Sequence, residues 1–240
     1  MDLLLKDKIA LITGGSQGIG KAIAKELASE GANIVICSIN LDNLQESASE
    51  IQSLTKRIVM PIQCDTTKTD SIKNLVNQTF EKFGRIDILI NNAAAPIGAD
   101  RVPIIEVDPD VFQRVIDIKI RGTYLCNQAF LKANLKQDTG GKIVNISSTA
   151  GKRGVPNTFA YNAANFAIVG MTQSAAKELG ANNINVNCVC PGATETARMD
   201  ELQKRGQMDV IAEQTPMGRN GTDEEVGHLV EHLCTEATSR

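Results

Sequence analysis

Residues Thr13-Gly14-Gly15-Ser16-Gln17-Gly18-Ile19-Gly20 carry the clearest chemical signal in this chain. They follow the apolar run Ile9–Ile12 and open a helical pattern near Ile19. A strand, a glycine-rich turn and a helix start in succession make an anion site. Glycine lets the backbone bend tightly and come close to a ligand. The helix N-terminus then offers unpaired N–H groups and partial positive charge to a phosphate. A glycine loop by itself is a weak signal. Its place between a strand and a helix near the N-terminus is the context that a dinucleotide site requires. An ordinary strand-to-helix turn is the weaker reading.

Other reactive side chains are less eloquent. The six cysteines, Cys37, Cys64, Cys126, Cys188, Cys190 and Cys234, contain no Cys-x-x-Cys pair. Several fall in apolar runs, so they read as reduced core thiols rather than disulfides. Cys188 and Cys190 should point to one side of a strand, but that spacing is poor evidence for zinc. His228 and His232 lie four apart on a helical pattern, and a solvated helix face explains them. No metal site is expected.

The elements that must position the loop alternate from end to end. Apolar runs predict strands at Lys8–Thr13, Asn33–Cys37, Arg57–Gln63, Ile86–Asn91, Lys142–Ile146 and Ile184–Val189. Helical patterns fall at Ile19–Glu30, Leu41–Leu54, Thr69–Phe83, Asp110–Lys136 and Phe159–Leu179, with a last helix near Asp223–Leu233. The strand runs are continuously apolar, which suits parallel strands covered on both faces. Repeated strand–helix–strand units imply a doubly wound, mostly parallel α/β sheet. In such a sheet the ligand sits beyond the carboxyl ends of the strands. The residues there are Thr13–Gly20, Ser38-Ile39-Asn40, Asp65-Thr66, Asn91-Asn92-Ala93-Ala94, Ser147-Ser148 and Pro191-Gly192, all polar or small.

Composition narrows the class. No linker or composition shift divides the 240 residues, so residues 1–240 read as a single domain. The net charge of −3 gives no pull toward nucleic acid or anionic membrane. No apolar run approaches a membrane span. The start, Met1-Asp2-Leu3-Leu4-Leu5-Lys6-Asp7, is too short and too soon charged for a secretion signal, so a cytoplasmic location is expected.

Taken with Asp65, Asn91-Asn92-Ala93-Ala94, Ile146-Ser147-Ser148, Tyr161 and Pro191-Gly192, the glycine loop makes the chain resemble the short-chain dehydrogenase/reductase family in its single-domain form. By appearance it is similar to 3-oxoacyl-acyl-carrier-protein reductases and to assorted alcohol and ketone dehydrogenases. The resemblance implies a Rossmann fold and hydride transfer between a nicotinamide cofactor, NAD or NADP, and a small carbonyl or alcohol. It implies Tyr161 as general acid/base and Ser148 as the hydroxyl polarising the substrate oxygen. It places the cofactor against Gly14, Gln17, Gly18, Ile19, Gly20, Ser38, Asp65, Thr66, Asn92, Ala93, Tyr161, Asn165, Pro191, Gly192, Thr194 and Thr196. It also implies a homo-oligomer, a dimer or tetramer, and a substrate loop over Gly192–Met217.

The chain departs from that pattern in four places. The family carries a lysine four residues after the tyrosine, where this chain has Asn165. It carries an asparagine on the long helix, where this chain has Lys119. A tyrosine hydroxyl without a cation is a poor base at neutral pH, and an ammonium within about 4–6 Å favours the phenolate. On helical spacing Lys119 shares the inward face with Phe112, Val115 and Cys126. Two readings follow. Either asparagine and lysine have exchanged places and Lys119 supplies the charge, or Lys119 snorkels outward and the enzyme is impaired. Third, Ser38 stands where NAD-using relatives carry an acid, and neither Ile39 nor Gln17 brings the base of NADP-using relatives. The lack of a visible cation for a 2′-phosphate favours NAD. Fourth, the family's final C-terminal strand has no counterpart before Arg240. On Ala94–Pro103, a segment expected to wall the substrate site, Arg101 reads as a solvated surface arginine more readily than as a contact for an acidic or phosphopantetheine-linked substrate. The competing function is a dinucleotide-binding pseudoenzyme that senses cofactor or pairs with an active subunit.

Overall fold

The computed structural model describes residues 3–137, 139–196, 199 and 207–238. Six parallel strands, β1 (Ile9–Thr13), β2 (Asn33–Ser38), β3 (Val59–Gln63), β4 (Ile88–Asn91), β5 (Gly141–Ile146) and β6 (Ile184–Val189), form one sheet in the order β3-β2-β1-β4-β5-β6. Helices α1 (Gly18–Ser29), α2 (Leu41–Thr55), α3 (Thr69–Phe83), α5 (Gly122–Asn134) and α6 (Phe159–Leu179) connect or flank these strands, with α4 (Pro109–Ile116) preceding α5. Beyond β6 come a short parallel pair, β7 (Thr194–Glu195) and β8 (Gly221–Thr222), and helices α7 (Gln207–Gln214) and α8 (Asp223–Cys234).

The continuous apolar runs become strands because both faces of the sheet are covered. Successive β1 residues go to opposite faces. Ala10 and Ile12 join Ile23, Leu27, Ile36, Leu44 and Val230, under α1, α2 and α8. Leu11 joins Val35, Leu75, Leu89 and Phe130, under α3 and α5. The strand order reverses between β1 and β4, and that reversal leaves a crevice at the carboxyl ends of the two strands. No helix among the described residues is long and apolar enough to cross a membrane.

One expected element differs. The single helix over Asp110–Lys136 is three segments: α4, a π-helical turn over Asp117–Arg121, and α5. A π turn admits an extra residue, and such bulges cluster at functional sites. This one carries Lys119.

Candidate active site

The glycine loop is held open by its own backbone and by an asparagine. Gly14 and Gly18 adopt φ of 66° and 48°, the left-handed region where other residues are strained. The Asn92 side-chain amide donates to the carbonyls of Thr13 (3.1 Å) and Gly14 (3.0 Å), tying the end of β4 to the loop. The Thr13 hydroxyl accepts from the N–H groups of Asn92 and Ala93. Gln17 precedes α1 without giving a side-chain cap, and the first turn holds no acidic residue. The uncapped helix start faces a groove of about 1130 Å³. That arrangement fits a pyrophosphate, which supplies the missing acceptors.

The groove wall collects most of the expected cofactor residues: Gly14, Gln17, Gly18, Ile19, Gly20, Ser38, Asp65, Thr66, Asn92, Ala93 and Thr196. Thr196 packs so near Gly18 that a Cβ there would lie 3.2 Å from its methyl group. Burial raises the Asp65 carboxyl, but hydrogen bonds from the Thr67 hydroxyl (2.7 Å) and N–H (3.0 Å) outweigh it and hold the group below its ordinary value. Cys37 and Cys64 line the groove as well. The hydrogen bond to Cys64 and burial hold the Cys37 thiol well above its ordinary value. At the end of β2, Ile39 is largely exposed, and neither it nor Ser38 brings charge to the wall.

Five expected cofactor residues lie elsewhere. Pro191, Gly192 and Thr194 line a second cavity of about 530 Å³ with Cys188 and Cys190, whose sulfurs are 3.9 Å apart. Burial pushes the Cys188 thiol up to about 11, so it stays protonated at neutral pH. Tyr161 and Asn165 are not among the groove-lining residues. Asn165 is fully buried, its amide donating to the Tyr161 carbonyl at 2.9 Å, while its Oδ1 has no hydrogen-bond partner. With no exposed surface, the Asn165 side chain presents no group to the groove in this structure. Of the expected substrate loop, residues 197, 198 and 200–206 lie outside the described residues.

Ser148 and Tyr161 sit on elements locked to each other. Ser148 follows β5 and caps the turn Thr149–Gly151, its Oγ accepting from Ala150 N–H at 3.1 Å. An oxygen that accepts this way keeps its proton for another partner. The Ser147 hydroxyl donates to the Asn165 carbonyl at 3.0 Å. The Asn162 amide donates to the carbonyls of Ala150 and Arg153, both at 2.7 Å. A Cβ on Gly151 would lie 2.6 Å from Ser147 Oγ and 2.8 Å from the Asn165 carbonyl oxygen, so only glycine permits this contact between the turn and α6. Sequence reasoning missed Asn162 and Gly151, because their partners are set by tertiary contact.

Lys119 is buried, with 6% of its surface exposed. Its Nζ donates to the carbonyl of Ile146 at 2.6 Å, the last residue of β5 and two before Ser148. The outward, snorkelling lysine is therefore overturned. A chain of buried amides runs behind the site: Asn91 donates to Asn127 and Asn145, and Asn145 donates to the Thr172 hydroxyl. Arg101, expected at the solvated surface, instead stacks over the Tyr161 ring, its guanidinium carbon 4.0 Å from the centroid.

The short chain dehydrogenase family matches residues 8–207. This chain belongs to the short-chain dehydrogenase/reductase family. It is 36% identical to a 3-oxoacyl-acyl-carrier-protein reductase of Thermotoga maritima, over 98% of this chain and 93% of that protein. It is 32% identical to a 3alpha-hydroxysteroid dehydrogenase of Mediterraneibacter gnavus, over 100% and 94%. The crystal structure of an actinorhodin polyketide ketoreductase variant with NADPH superposes with a TM-score of 0.91 at 29% identity, covering 97% of this chain and 92% of that one. Levodione reductase superposes equally well, at 0.91 and 30% identity, over 98% and 93%. As a family member the chain is an oxidoreductase of nicotinamide-dependent type with a Rossmann fold.

Proposed function

We propose that the chain interconverts a small carbonyl compound and its alcohol, with Tyr161 as the acid/base, Ser148 as the polarising hydroxyl and Lys119 as the cation that the family usually places at position 165. When bound, the cofactor supplies or accepts the hydride. The chain's own residues do the rest. The helix start of α1 and the loop Thr13–Gly20 bind the pyrophosphate. The Ser148 proton, left free by the bond from Ala150, points polarity at the substrate oxygen. Tyr161 gives a proton to that oxygen in reduction and takes it back in oxidation. The observation that carries the reading is the buried ammonium of Lys119, anchored on the carbonyl that ends β5, in a site whose other lysine position holds Asn165. Burying an ammonium is costly unless it is compensated, and a buried lysine beside the Ser148 turn is best explained by chemistry there. NAD is the proposed cofactor, since the end of β2 and the glycine loop offer no cation for a 2′-phosphate. A cytoplasmic homo-oligomer is proposed as well, and the half-exposed rings of Tyr124 on α5 and Phe166 on α6 are suited to subunit contact.

The test uses three variants. Tyr161→Phe is expected to cut turnover by at least about 100-fold, the usual worth of acid–base catalysis, with cofactor affinity within about threefold of the parent. Lys119→Met is expected to lower turnover and move the pH–rate profile to higher pH. The double exchange Lys119→Asn with Asn165→Lys is expected to recover activity lost in the single variant. An unchanged profile in an active Lys119→Met enzyme sinks the exchange. Tight cofactor binding without turnover on any carbonyl points to the sensor, a reading that the occupied Nζ of Lys119 and the neutral Asn165 favour.

A further inference from the structure

We infer that Arg101 selects substrates bearing a carboxylate, so that the site takes short oxo acids in preference to neutral ketones. The inference rests on the proposed role of Tyr161. The Arg101 guanidinium stacks 4.0 Å over the Tyr161 ring and also lines the 1130 Å³ groove, so it joins the cofactor space to the acid/base residue.

The side chain is built in place rather than waving in solvent. Its exposure is 28%, and Nε lies 3.5 Å from Oδ2 of the buried Asp100. That Nε is buried and makes no hydrogen bond. Asp100 in turn accepts from the N–H of Gly98 at 3.3 Å, which fixes the loop that carries both residues. The stacked plane leaves the terminal N–H groups, which have no hydrogen-bond partner among the described residues, to address a ligand. A planar fork of donors matches a carboxylate in bidentate fashion. The wall as a whole is not basic: Asp65, Asp110 and Asp117 line it with Arg114. Anion preference is therefore local to Arg101. With the carboxylate on the fork and the carbonyl oxygen at Tyr161, the two groups must lie within two or three bonds of each other, as in a 2-oxo or 3-oxo acid.

The deciding experiment measures binding in a complex that cannot react. Enzyme saturated with oxidised cofactor is titrated calorimetrically with acetoacetate and with its neutral methyl ester. The parent is expected to bind the acid at least about tenfold more tightly than the ester, the worth of one charged hydrogen-bonded contact. Arg101→Gln should abolish the difference, and Arg101→Lys should restore only part of it, since a lysine keeps charge without the fork. Cofactor affinity should stay near the parental value in both variants, and melting temperature should fall more in Arg101→Gln, which leaves the buried Asp100 without its cation, than in Arg101→Lys. Equal binding of acid and ester by the parent, binding of neither, a preference that survives Arg101→Gln, or a parallel loss of cofactor affinity overturns the inference. Turnover is then read with reduced cofactor. A carboxylate preference without turnover defeats the proposed activity and leaves this inference standing; turnover of the ester with no carboxylate preference does the reverse.

Discussion

Replacing Gly20 by alanine strikes the cofactor cradle where it is tightest. A Cβ at this position would lie 2.2 Å from the Gly14 carbonyl oxygen and 2.5 Å from Nδ2 of Asn92, and these two atoms are themselves bonded at 3.0 Å. The methyl group lands between the donor and acceptor of the clasp. Reaching an ordinary contact of 3.4 Å requires about 1.2 Å of movement (3.4 − 2.2) by a backbone atom on one side or the other. Overpacking of this kind costs about 1–3 kcal/mol, and each clasp bond released costs about 1 kcal/mol more. With one clasp bond released a penalty of about 2–4 kcal/mol follows, and because the displaced atoms shape the anion site it should appear in binding. At about 1.4 kcal/mol per factor of ten, cofactor affinity should fall by about 30–700-fold. Titration of the reduced cofactor by its fluorescence reads this directly. A Gly20→Ala protein that binds within about threefold of the parent refutes the role given to the clasp.

Two further outcomes test the frame around the site. Gly170 lies on the exposed side of α6, where an added Cβ meets nothing within 4 Å. Gly170→Ala should stabilise the fold by about 0.5–1 kcal/mol through helix propensity, and a thermal melt that falls instead contradicts the packing of α6. The Arg219 pair holds the Glu225 carboxyl down at about 2, with the Thr222 N–H assisting. A depressed carboxylate stabilises the fold above its unfolded value and loses that stabilisation as pH falls through the folded one. The stability difference between the parent and Glu225→Gln should therefore be constant above about pH 5 and shrink between about pH 4.5 and 2. A difference that does not depend on pH refutes the ionic role.

Much of this was legible because local patterns decide it. The boundaries of Thr69–Phe83, Phe159–Leu179 and Ile184–Val189 follow from periodicity, with Gly84 in the left-handed conformation ending the first of them. The loop Thr13–Gly20 and its neighbours after each strand meet in one groove, because strand order and parallel register carry them to the same sheet edge. Other features had no local signature. A π turn adds one residue to a turn without any marker residue of its own, so the break at Asp117–Arg121 is not announced in the sequence. The stacking of Arg101 on Tyr161 depends on how a loop anchored by Asp100 folds back over α6. The burial of Asn165 depends on Gly151, which lets the Ser148 turn press against α6. Inward placement of Lys119 was legible from its helical face, but its partner, the Ile146 carbonyl, was not.

Hydride transfer itself is the most direct test of the whole account. The protein is mixed with reduced cofactor deuterated at the transferable position and with a short oxo acid, and the hydroxy acid formed is analysed for label. The account predicts one deuterium on the carbinol carbon, at a rate that collapses in Tyr161→Phe while cofactor still binds. Saturable cofactor binding with no labelled product, in the parent as in the variant, would contradict it.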